Sequence, residues 1–127
     1  MAEYNKRKVN KLNNTEIIVL IILLRKYINK RAIGVTADEV SKEAGLSIQH
    51  SYKVLRDLTL KGLVNTTKAD SLNIFGATVA TSAGKKVMYM PIKEEIIKYR
   101  DKIIEWAERN GNLDEVNDLL SKLLSET

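Results

Sequence analysis

Residues 36–64, TADEVSKEAGLSIQHSYKVLRDLTLKGLV, constrain this chain more than any other stretch, because they spell two short helices and fix the joint between them. Thr36 and Glu39 stand at capping-box spacing: the Thr36 hydroxyl can accept from the Glu39 backbone, and the Glu39 carboxylate can reach back. Val40 and Ala44 share one helical face. Gly45 stops the helix, since glycine takes the left-handed cap conformation without steric cost. Leu46 then points inward, and Ser47 caps a second helix expected over 48–61, closed by Gly62. Helical periodicity splits that second helix. Ile48, Ser51, Val54, Leu55 and Leu58 face inward, while Gln49, His50, Tyr52, Lys53 and Arg56 face out.

The rest of the chain falls into place around this pair. Residues 1–13 read as a basic flexible arm carrying Lys6, Arg7, Lys8 and Lys11. A helix capped by Asn14 or Thr15, with Glu16 in its first turn, runs to about Lys30, and Gly34 ends the region. Its apolar run, residues 17–24, is far shorter than the roughly 20 residues a bilayer span needs, and no small-residue cleavage site follows it, so it reads as a buried helix. Residues 63–80 read as a hairpin: a strand over 63–67, an apolar patch at Leu72, Ile74 and Phe75, and a return strand over 77–80. Thr81 is expected to cap a further helix leading to Pro91. A long helix over 91–110 then carries an apolar stripe, Gly111 ends it, and Asn112 caps a last helix. The expected fold class is mainly α with a small β-hairpin.

Charge and composition narrow the function. The 127-residue chain carries a net charge of +5, divided as +7 over residues 1–68 and −2 over 69–127, which suggests a polyanion-facing half. There is no cysteine and a single histidine, His50, so thiolate metal sites, disulfides and a cysteine nucleophile are excluded and a multi-histidine centre cannot be built. Glu94/Glu95 and Asp114/Glu115 sit in first turns, where the helix dipole explains them without catalysis. SAGKK at 82–86 lacks the spacing of a phosphate-binding loop. The reading is of a non-enzyme with no metal and no cofactor, and no effector pocket is legible.

In combination, TADEVSKEAGLS, SYKVLRDLTLKGLV and VATSAGKKV resemble the winged helix-turn-helix family, in particular archaeal and bacterial transcriptional regulators of the MarR/PadR kind. The third segment is similar to that family's Leu-Thr-x-x-Gly-Arg/Lys pattern, with Ala80 in place of the leucine. An archaeal or archaeal-virus source fits the composition, although ten asparagines are unusual for a thermophile. The resemblance implies a winged helix domain over 14–90 and C-terminal dimerisation helices over 91–127. It implies a cytoplasmic, sequence-specific regulator that binds double-stranded DNA as a homodimer, with helix 48–61 in the major groove. Expected DNA contacts are Ser47, Gln49, His50, Tyr52, Lys53 and Arg56, with Lys68 near the tip of a 63–80 wing and Lys6, Arg7 and Lys8 on the arm. The expected interface between copies is Ile92, Ile96, Tyr99, Ile103, Trp106, Leu113, Val116 and Leu120. The alternative is a winged-helix adaptor that uses the same outward face for protein contacts in a DNA partition or replication assembly.

Overall fold

A computed structural model describes residues 11–30, 34–70 and 85–125. Among them are six helices and one antiparallel strand pair: α1 (Asn14–Asn29), α2 (Ala37–Ala44), α3 (Ile48–Leu60), β1 (Val64–Asp70), β2 (Lys85–Pro91), α4 (Lys93–Lys98), α5 (Arg100–Asn110) and α6 (Leu113–Leu124).

α1 is the hub. It packs against α2, α3, α5, α6 and β2. Of its apolar run only Ile18 reaches the surface; Ile17, Val19, Leu20, Ile21, Ile22, Leu23 and Leu24 are all buried. A helix that is apolar nearly all round must be covered nearly all round. Fully burying one such side chain is worth roughly 1.5–3 kcal/mol, so this helix organises the core. It starts one residue earlier than the sequence suggests, because Asn13 and not Asn14 or Thr15 is the cap. The Glu16 backbone donates to Asn13 Oδ1 at 2.8 Å, and the Asn13 backbone donates to Glu16 Oε1 at 2.9 Å. Leu12, expected in the arm, packs against the core.

The α2–α3 joint has the form its residues dictate. Gly45 takes φ +70°, with nothing near its Cα that a side chain would strike, so the glycine is there for its backbone angle alone. The Ser41 hydroxyl donates to the Leu46 carbonyl at 2.5 Å, and the Leu46 amide donates to the Ser41 carbonyl at 3.1 Å. The Ser47 hydroxyl caps α3 by accepting from the His50 amide at 3.1 Å. The Thr36 box is half formed: its hydroxyl accepts from the Glu39 amide at 3.3 Å but also donates to the Glu39 carboxylate at 3.4 Å.

Three expectations need correction. The return strand is Lys85–Pro91, paired with β1 from Val64 opposite Pro91 to Asp70 opposite Lys85. Lys85, Lys86, Val87 and Met88, expected to lead through a helix, are therefore in the sheet; the proposed strand over 77–80 lies outside the described residues. Lys68 is consequently not at a tip but within the ladder, opposite Val87. The helix expected over 91–110 is two helices, broken at Tyr99, whose backbone (φ −102°, ψ 11°) leaves helical geometry.

The C-terminal helices fold back on the same chain. Ile96, Ile103, Trp106, Val116 and Leu120 are buried in the core cluster that contains α1, and Tyr99 and Leu113 pack against that cluster. Ile92 is half-buried. The faces expected to meet a second copy are thus covered within the chain, and winged helix and C-terminal helices share one core. Arg25 of α1 clamps α6 with a bidentate pair to Glu115 at 2.7 and 2.9 Å, a geometry that matches guanidinium to carboxylate.

Candidate nucleic-acid interface

The site is built on α3. Burial divides the helix by its periodicity. Ser51, Val54, Leu55 and Leu58 are buried and Ile48 is half-buried, while Gln49, His50, Tyr52, Lys53 and Arg56 are exposed in one continuous set. Every exposed member can hydrogen-bond, and none is acidic. No carboxylate among the described residues pairs with Lys53 or Arg56, whereas Arg25, Lys26 and Lys61 are all ion-paired within the fold. Among the described residues, the two cations on the outward face thus lack the carboxylate partners that the other cations near the core have.

The inward face holds α3 in place and contains one anomaly. The Ser51 hydroxyl is fully buried and has no hydrogen-bond partner among the described residues. Elsewhere on the helix the Thr59 hydroxyl donates back to the Leu55 carbonyl at 2.8 Å.

Sequence reasoning missed two features that position this face. The first is the far end of α3. Lys61 caps the helix, and its ammonium reaches both oxygens of Glu16, at 2.7 and 2.6 Å, where Glu16 is 1% exposed. One carboxylate thus ties the start of α1 to the end of α3. In the sequence Glu16 reads only as a first-turn carboxylate, because the pairing with a lysine 45 positions away is tertiary.

The second is Tyr89 on β2. Its backbone is fixed from both sides of the strand. It pairs with Thr66 of β1, and it exchanges two hydrogen bonds with Val35, at 2.9 and 2.8 Å. Gly34 permits this close approach: a Cβ there would lie 2.8 Å from the Met88 Cβ. Tyr89 is 7% exposed and, with Gln49, Tyr52, Lys53 and Arg56, lines an open cleft of about 470 Å³. Burial pushes the Tyr89 hydroxyl above the usual phenol pKa, assisted by the neighbouring Tyr52. The hydroxyl is thus neutral, and a donor, at physiological pH.

Of the other expected contacts, Ser47 is exposed at the start of α3, and Lys6, Arg7 and Lys8 lie outside the described residues. No group of three His, Asp or Glu side chains that could hold a metal ion occurs among the described residues, and no described helix is long and apolar enough to cross a membrane.

Comparison with known proteins agrees with this architecture. The family model described as "Sugar-specific transcriptional regulator TrmB" matches residues 8–95, which include α1, the α2–α3 pair, the hairpin and the start of α4. No curated protein and no solved structure matches. The family found is a winged helix-turn-helix one, the class that the motifs resemble, without singling out the MarR or PadR kind. A match over more than half of the chain, on a helix-turn-helix followed by an antiparallel hairpin, places the protein in the TrmB family of DNA-binding transcriptional regulators.

Proposed function

We propose that the protein is a sequence-specific regulator that lays α3 in the major groove of double-stranded DNA, with Gln49, His50, Tyr52, Lys53 and Arg56 toward the base edges and flanking phosphates. The observation that carries this reading is the outward face of α3: five exposed hydrogen-bonding side chains, two of them cations with no carboxylate partner among the described residues, on a helix braced at both ends. Arg and Lys match the acceptor pair of guanine, and Gln matches adenine. Lys6, Arg7 and Lys8 add charge for phosphate contacts. Binding as a homodimer belongs to the same reading, because two recognition helices one turn apart read a longer site than one. With Ile96, Ile103, Trp106, Val116 and Leu120 already buried in the chain, the contact between copies uses other surfaces. The setting is cytoplasmic, where a regulator meets its operator.

The test is a titration with a duplex selected from a random pool, at fixed salt and then across a salt series. Lys53→Ala with Arg56→Ala is expected to weaken binding at least tenfold, to leave the unfolding midpoint unchanged, and to flatten the slope of log K against log salt by ~0.9 for each phosphate contact removed. Unchanged affinity of the double variant would overturn the recognition-helix assignment. Absence of any duplex binding by the unaltered protein would leave the outward face to a protein partner, as in an adaptor.

A further inference from the structure

We propose that the cleft between α3 and β2 seats a single backbone phosphate of the duplex, and that the Tyr89 hydroxyl is a direct donor to it. The proposal rests on the reading of α3 as the groove-binding helix. A helix with its side chains is about 10–12 Å across, close to the roughly 12 Å width of the major groove. With α3 filling the groove, whatever stands beside α3 meets the groove wall, which is sugar and phosphate. What stands beside it here is the cleft of about 470 Å³.

The lining suits an anion. Lys53 and Arg56 have no carboxylate partner among the described residues, and Tyr52, 51% exposed, presents its phenol at the rim. Tyr89 lines the cleft from β2. Its side chain is nearly buried and its backbone is held by two hydrogen bonds to Val35, so its position is set before any ligand arrives. No hydrogen-bond partner for its hydroxyl occurs among the described residues. Such a preset donor adds affinity without ordering a flexible side chain on binding. A phosphate contact carries no base information; Tyr89 therefore strengthens binding to every sequence alike and fixes how far α3 advances along the groove.

Tyr89→Phe tests the seat, since it removes one oxygen and keeps the ring. Affinity is expected to fall about tenfold on the selected duplex and by the same factor on a random one, with the unfolding midpoint retained and the salt slope unchanged, because no charge is lost. A scan of the duplex with single neutral methylphosphonates then locates the partner. One position is expected to weaken the unaltered protein but to have little further effect on the Tyr89→Phe variant. If Tyr89→Phe binds both duplexes like the unaltered protein while the Lys53/Arg56 double variant loses binding, the phosphate seat is refuted and the recognition helix stands. Losses that add at every methylphosphonate position refute the seat as well. If the unaltered protein binds no duplex, both readings fall.

Discussion

Replacing Lys61 with methionine isolates the contact that braces the recognition helix. Methionine keeps much of the lysine stem's length and removes the ammonium. Glu16 is then left with its carboxylate buried, 1% exposed, and without the ammonium, while the Asn13 amide at 2.9 Å still donates to it. Removing one member of a buried ion pair costs about 3–5 kcal/mol, most of it from the uncompensated charge left behind. Here the surviving Asn13 bond and the 14% exposure of the Lys61 side chain reduce that, so about 2–4 kcal/mol is expected. The assay is urea unfolding. With a slope of about 2 kcal/mol/M, the middle of the usual range for urea, the midpoint falls by roughly 1–2 M at unchanged slope. Combining Lys61→Met with Glu16→Gln restores most of the loss, since glutamine still serves the capping box and no buried charge remains. A Lys61→Met loss below about 1 kcal/mol would mean that the pair behaves like an exposed one, and would refute the argument.

Ser51→Ala removes a buried hydroxyl that has no partner among the described residues; a stability gain of up to about 1 kcal/mol is expected in the same assay, and a loss of that size would show that the hydroxyl is bonded. The pH dependence of stability has a named contributor in Glu115. Its hydrogen bond to Arg25, with the arginine's charge, holds its pKa below the ordinary glutamate value. A carboxylate depressed on folding contributes stability that is complete above its unfolded pKa and is lost as pH falls through the folded value. Glu115→Gln is therefore expected to lower stability modestly at neutral pH, within the few tenths to 1 kcal/mol of a largely exposed pair, and to flatten the decline below about pH 4.5. An unfolding series from pH 7 to pH 3 that shows the same decline in both proteins would count against it.

The sequence by itself determined the helix-turn-helix. Capping at Thr36 and Ser47, the left-handed Gly45 and the inward-outward division of α3 are all settled by residues within four positions of one another, and helical periodicity reports such contacts directly. The burial of α1 was legible for the same reason, because eight apolar residues in a row leave no polar face. Tertiary structure alone decided what meets what. That Lys85–Pro91 pairs with β1 was not legible because strand pairing is selected by a partner far along the chain, and more than one segment contains residues a strand accepts. The stripe after Pro91 announced only that it needed cover; whether a second copy or α1 supplies it depends on how the chain turns at Tyr99. Lys61 beside Glu16, and Tyr89 beneath Tyr52, join residues more than 35 positions apart, and no local signal marks them. Local hydrogen bonding wrote the elements into the sequence, whereas the choice among burial partners was made only when the whole core closed.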